Sequence, residues 1–171
     1  MDVAADRSAT LVHVGVVRSD PELPIERRLT LIAAGLRAVI AEHRPHVVAV
    51  ERVFAQQNRG TVMGTAQASG IALLLAGESG LAAATHTPSE VKAAITGYGN
   101  ADKRQVQAMV ARILRLDDLP KPADAADALA LALCHAWRSG GPAVAAPGSA
   151  GKGALTPAQR AWAKAERVSR R

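Results

Sequence analysis

The spacing of apolar residues changes several times along the chain, and each change marks an element. Residues 10–17 (TLVHVGVV) are crowded with β-branched side chains and predict a strand, with residues 18–24 as the turn after it. Over residues 26–42 the period lengthens. Leu29, Ile32, Leu36, Val39 and Ile40 fall on one face of a helix, and Pro45 stands just past its end. Residues 47–50 (VVAV) are too few for a helix and predict a buried parallel strand with Glu51 at its C-terminal end. Residues 61–75 (TVMGTAQASGIALLL) return to a helical pattern. There Gly64, Ala66, Ala68 and Gly70 make a small-residue face that suits either a dimer contact or close internal packing.

Residues 81–85 predict another short strand, and the next residues open a helix with unusual clarity. Thr87 is the expected N-cap, Pro88 takes the first helical position and Glu90 completes a capping box. This helix carries Val91, Lys92, Ala94 and Ile95 and stops at Gly97. Tyr98 and Gly99 form a turn, and no Walker-type lysine follows, which argues against a nucleotide-binding P-loop. Asn100 is the expected cap of the next helix, whose core face is Val106, Met109, Val110, Ile113 and Leu114. Lys103 lies in its first turn. A cation there opposes the helix dipole, and gripping phosphate would explain the placement. Pro120 and Pro122 break the chain before a last helix over residues 123–137.

Length and charge add organisation. At 171 residues and 49% hydrophobic content the chain suits one domain with a proper core. No apolar run approaches the roughly 20 residues that cross a bilayer, and Asp2 and Asp6 stand where a signal peptide would be basic and then apolar, so the expected location is cytoplasmic. A single cysteine, Cys134, excludes a disulfide framework and a zinc ribbon. Its neighbour His135 points about 100° away on a helix, so the two make no thiol–imidazole pair and Cys134 reads as a small core residue. The net charge of +6 is concentrated after residue 147, where Lys152, Arg160, Lys164, Arg167, Arg170 and Arg171 face Glu166 alone. A near-neutral body with a basic extension is the footprint of a protein that meets a polyanion, most simply nucleic acid, against the plainer alternative of a solvated tail. The chain divides accordingly into residues 1–138 and residues 139–171. The second part comprises a Gly/Ala/Pro-rich linker over 139–153 and a short basic helix over 156–168 around Trp162.

Candidate chemistry sits at the element ends. Ligands of open α/β sheets bind at the C-terminal ends of strands, which is where Glu51 falls; the alternative is a surface pair with Arg52 or a neighbouring base. Phe54, the only phenylalanine, lies in a polar loop with Gln56, Gln57 and Asn58, either stacking on a ligand or folding back on the core. Asp124 and Asp127 share one face at the start of the last helix. They serve as simple capping, or as a divalent-cation site if a third carboxylate faces them.

These signals, with TVMGTAQASG, THTPSEVKAAITG, ADKRQVQAMV and PADAADALALALCH, resemble the RuvC family of Holliday-junction resolvases, especially its actinobacterial members, from about Val14 to Trp137. The resemblance implies a ribonuclease-H-like α/β fold, a mixed sheet flanked by helices, and a homodimer that cuts four-way junction DNA with a divalent metal, usually Mg2+ with Mn2+ possible. It further implies the branch-migration proteins RuvA and RuvB as partners. On the same basis Glu51, Asp124 and Asp127 are the expected catalytic metal ligands. Phe54 is the expected base-stacking aromatic, and Lys92 and Lys103 are the expected lysines that contact DNA or assist the chemistry. Two carboxylate-bridged metals can activate water and stabilise the leaving oxygen, with lysine adding positive charge. Three other functions remain: a junction-binding dimer without catalysis, a related nuclease acting on RNA or RNA–DNA hybrids, and an enzyme outside nucleic-acid chemistry, for which the chain offers no complete triad, P-loop or zinc signature.

The resemblance has a gap. Family members begin with a strand ending in Asp-Pro-Gly and then a second strand, whereas only MDVAADRSA precedes residues 10–17 here. The first catalytic aspartate is therefore carried to neither Asp2 nor Asp6, neither of which follows a plausible strand. The expectation is an N-terminally shortened domain, from a late-assigned start in preference to a degenerate copy. Its metal site would lack one ligand, and its open slot in mid-sheet would leave backbone groups unsatisfied at about 1–3 kcal/mol each. The polypeptide as written is expected to be weakly active or inactive.

Overall fold

A computed structural model describes residues 1–52, 59–118 and 121–139. Their elements run β1 (Asp2–Val3), β2 (Ala9–Thr10), α1 (Ile25–His43), β3 (Val47–Glu51), α2 (Arg59–Glu78), β4 (Ala82–His86), α3 (Pro88–Thr96), α4 (Lys103–Ile113) and α5 (Ala123–Ser139). Strands β3 and β4 pair in parallel, from Val47 opposite Ala82 to Glu51 opposite His86. Parallel neighbours need a long crossover, which α2 supplies. Both α2 and α5 pack on this pair; α1 packs on α2, while α3 and α4 pack on α5.

The helical side holds the core. Val91 and Ile95 of α3, Val106 and Val110 of α4, and Leu129, Leu133 and Cys134 of α5 interdigitate there. Cys134 is fully buried, as its reading as a small core residue requires, and burial pushes its thiol pKa up. The start of α3 forms as the sequence indicates. Thr87 Oγ1 accepts the Glu90 N–H at 3.2 Å, and the Glu90 carboxylate accepts the Thr87 N–H at 2.8 Å. Gly97 closes this helix with φ +78°, a left-handed value that glycine adopts without strain.

Three local expectations are corrected. The cap of α4 is Asp102, not Asn100. Its carboxylate accepts the Gln105 N–H at 2.9 Å and Gln105 Oε1 accepts the Asp102 N–H at 3.0 Å, so the reciprocal box outcompetes the earlier asparagine. Residues 10–17 do not form one strand: only Ala9–Thr10 is paired, in a two-residue antiparallel hairpin with Asp2–Val3. Among the described residues nothing pairs with the rest of that stretch. It runs along α1 instead, with Val17 packed where a Cβ on Gly35 would come within 2.5 Å of it and with Ser19 Oγ accepting from Arg28 Nε at 3.2 Å. Finally, β3 is parallel but only partly buried. Val50 alone is fully enclosed, because β4 is its single strand partner among the described residues.

The hairpin is anchored to the end of α5. Trp137 Nε1 donates to the Arg7 carbonyl at 3.1 Å and Arg7 Nη2 donates to the Trp137 carbonyl at 3.2 Å. Between the hairpin, β3 and α5 lies a cavity of about 690 Å³ bordered by Met1, Val3, Val47, Ala49, Ala132 and His135. No helix among the described residues is long and apolar enough to cross a membrane.

Candidate functional site

A second cavity, of about 610 Å³, opens where the C-terminal end of β3 meets the N-terminal ends of three helices. Glu51, Lys92, Lys103, Asp124 and Asp127 all line it, although they are spread over more than seventy positions of sequence. Each is placed by a local rule. Glu51 is the last residue of β3, and Lys92 lies on α3 just beyond its capping box. Lys103 follows the Asp102 cap of α4 directly. Asp124 opens α5, and Asp127, three residues later, shares its face. Neither Asp2 nor Asp6 borders this cavity. Asp2 lies in β1, and Asp6 folds into the hairpin turn, accepting from the Ser8 N–H and hydroxyl at 2.9 and 2.7 Å. Those two bonds lower its pKa.

The site has its own electrostatic logic. Lys103 Nζ is 2.9 Å from Asp127 Oδ2, with both side chains about half exposed. The Lys103 pKa is raised, first by that hydrogen bond and then by the charges of Asp127, Asp124 and Glu51, against the cost of burial. Glu51 moves the other way for a carboxylate. It stands exposed at the rim, yet the surrounding protein removes enough water to raise its pKa, Asp127 raises it further by like-charge repulsion, and Lys103 partly offsets both. The surface pairing of Glu51 with Arg52 does not form, since Arg52 Nη2 turns to Thr85 Oγ1 at 3.3 Å. Phe54 lies outside the described residues, as does the basic tail.

Among the described residues no three His, Cys, Asp or Glu side chains stand close enough together to hold a metal ion. The donor chemistry nevertheless fits a hard divalent cation. Three carboxylates face one cavity, and the repulsion between Glu51 and Asp127 is the strain a bound cation would relieve. The expected phosphate-gripping lysine, Lys103, is engaged with one of those carboxylates.

Two features escaped the sequence. Thr65 of α2 also borders the cavity. His86, opposite Glu51 in the sheet register, places Nε2 3.1 Å from His135 Nδ1 on α5. Burial lowers the pKa of both histidines, and His135 adds to the effect on His86. The only sequence hint was spacing: His135 follows Asp127 by eight residues, about two helical turns.

Comparison with known proteins gives a consistent result. Residues 3–135 match the family model described as Crossover junction endodeoxyribonuclease RuvC. A relative of that name from Leifsonia xyli subsp. xyli is 56% identical, the alignment covering 100% of this chain and 86% of the relative. One from Renibacterium salmoninarum is 57% identical, with 100% and 86% covered. Among solved structures, RuvC of Thermus thermophilus in complex with Holliday junction substrate superposes with a TM-score of 0.71 at 37% identity, covering 75% of this chain and 78% of that one. A further Thermus thermophilus RuvC structure gives 0.69 at 38% identity, covering 75% and 77%.

Proposed function

The chain belongs to the RuvC family of crossover junction endodeoxyribonucleases, with its ribonuclease-H-like fold, and from that premise we propose that it binds four-way DNA junctions and hydrolyses phosphodiesters there. The proposal includes a divalent metal, Mg2+ or Mn2+, a role in recombination and repair in the cytoplasm, and RuvA and RuvB as the partners that family membership implies. One observation carries it: Glu51, Asp124 and Asp127, remote in sequence, line one cavity with Lys92 and Lys103.

In this reading Glu51, Asp124 and Asp127 hold the metal, which supplies Lewis-acid activation of water and of the scissile phosphate when bound. The protein's own contribution is placement and charge. Asp124 and Asp127 lie at or near the first turn of α5, where the helix dipole favours their ionised form. Lys103, paired with Asp127, would exchange that carboxylate for a phosphate oxygen, and Lys92, which lines the same cavity, would add positive charge. Phe54, three residues after Glu51 in the sequence, is the aromatic proposed to stack on bases. A homodimer is supported by α2, whose Met63 and Leu74 are 66% and 55% exposed. Among the described residues a Cβ on Gly64, Gly70 or Gly77 would meet nothing within 4 Å, which fits an outward-facing contact better than internal packing.

The test is cleavage of a synthetic four-way junction with Mg2+ or Mn2+. Glu51→Gln and Asp127→Asn are expected to slow cutting by roughly a hundredfold or more, the scale for loss of one preorganised electrostatic group, while leaving junction binding intact. Unchanged cutting by both variants would sink the assignment. The absence of a three-donor cluster among the described residues favours a second reading, a junction-binding protein without catalysis. Tight junction binding by the unaltered chain, with no cutting under either metal, would select it.

A further inference from the structure

The cavity carboxylates come from two bodies, Glu51 from the β3–β4 pair and Asp124 and Asp127 from α5, and something must fix the distance between them. The cavity of about 690 Å³ beside β3 and α5 is bordered by Ala49, Ala128, Ala132 and Ala136 as well as by Val47 and Leu131. Space left between side chains forfeits the dispersion contacts that hold two elements in register, so a directional contact there has a job to do.

A directional contact crosses from the end of β4 to α5. His86, the last residue of β4, is the only buried polar or charged side chain among the described residues at 8% exposure, and its Nε2 lies 3.1 Å from His135 Nδ1. His86 sits opposite Glu51, and its carbonyl accepts the Arg52 N–H at 2.7 Å, so it is bound to the very end of β3. His135 shares a helical face with Leu131 and Asp127 at steps of four residues. A neutral imidazole offers one donor and one acceptor, so a single N–H···N bond joins the two rings whichever of them donates.

We propose that His86 and His135 are positioning residues, a bridge that sets the separation of Glu51 from Asp124 and Asp127 and so preorganises the metal site. The inference rests on the reading of those three carboxylates as one site. Its logic is that of supporting hydrogen bonds behind metal ligands, whose loss typically weakens metal affinity or activity about 10–100-fold.

The experiment uses the full chain. Mn2+ binding is titrated by the EPR signal of the free ion, and junction cleavage is followed in parallel. His135→Asn keeps an amide nitrogen near the Nδ1 position and is expected to retain most of the affinity, whereas His135→Leu loses it about 10–100-fold. Because His135→Leu strands His86 without its partner and can unfold the chain, the double variant H86L/H135L, which replaces both rings with apolar groups, provides the second arm. It is expected to melt as a folded protein, bind Mn2+ about 10–100-fold more weakly, and lower kcat with KM unchanged. Wild-type Mn2+ affinity in a folded H86L/H135L overturns the bridge, as does an equal loss in His135→Asn and His135→Leu. A wild-type chain whose Mn2+ binding is absent, or indifferent to Glu51→Gln, overturns the carboxylate site itself and the bridge with it.

Discussion

Helices α3, α4 and α5 enclose a core in which Val110, Leu133 and Cys134 are wholly buried, whereas β3 and β4 together bury only Val50 and His86 and leave Ala82, Ala83 and Thr85 exposed. The strands are no less apolar in sequence than the helices. They differ in what each element needs from elsewhere. A helix satisfies its backbone within itself and has only to find a surface for one face, while a strand needs neighbours on both edges before its side chains can be covered. Residues 11–17 make the same point, since Val12, Val14 and Val16 are strand-like in type yet 47, 39 and 45% exposed.

The contrast can be broken most directly by stability. Leu133→Ala should cost about 2–5 kcal/mol in denaturant unfolding, as truncation in a closed core does. Val14→Thr, on the open side, should stay within about 0.5 kcal/mol. Comparable losses at the two sites would abolish the distinction.

A smaller effect sharpens it on α2. Because a methyl at residue 70 meets nothing within 4 Å among the described residues, Gly70→Ala should stabilise the dilute protein by about 0.5–1 kcal/mol through helix propensity alone. In a protein that self-associates on this face the same methyl should weaken the association, read by sedimentation. A destabilised dilute protein would mean that the face is already occupied.

The gentlest test is pH, because the histidine bridge joins the two regions. Both rings have folded pKa values below the ordinary 6.5, so the unfolded chain takes up their protons first on acidification. Their contribution is complete above pH 6.5 and is lost as pH falls toward the lowered folded values. Glu51 has the opposite sign: its folded pKa lies above 4.5, so its contribution is present at lower pH and lost as pH rises through the folded value. The melting temperature should therefore drop between pH 7.5 and 5.5. A flat or rising profile would mean that the histidines are not held neutral by the fold.

Legibility followed the same division. The Thr87 capping box, the shared face of Asp124 and Asp127, the burial of Cys134 and the position of Glu51 at a strand end were all readable, because each depends on residues within a turn or two. The misplacement of the α4 cap at Asn100 was local too, a choice between two good candidates that the Asp102–Gln105 reciprocity decides. The extent of the first strand was not readable, since the side chains of residues 10–17 say nothing about whether a partner lies alongside. Nor were the engagement of Lys103 with Asp127 and the meeting of His86 with His135, 49 positions apart.

By itself the sequence determined the helices, the capping box of α3 and the family, because periodicity, capping chemistry and motif order are properties of short stretches read in line. Only the tertiary structure decided which charges face each other, how far the strands extend, and that the imidazoles of His86 and His135 meet between β4 and α5. Contacts of that kind depend on distances in space, which residue order constrains only through the complete fold.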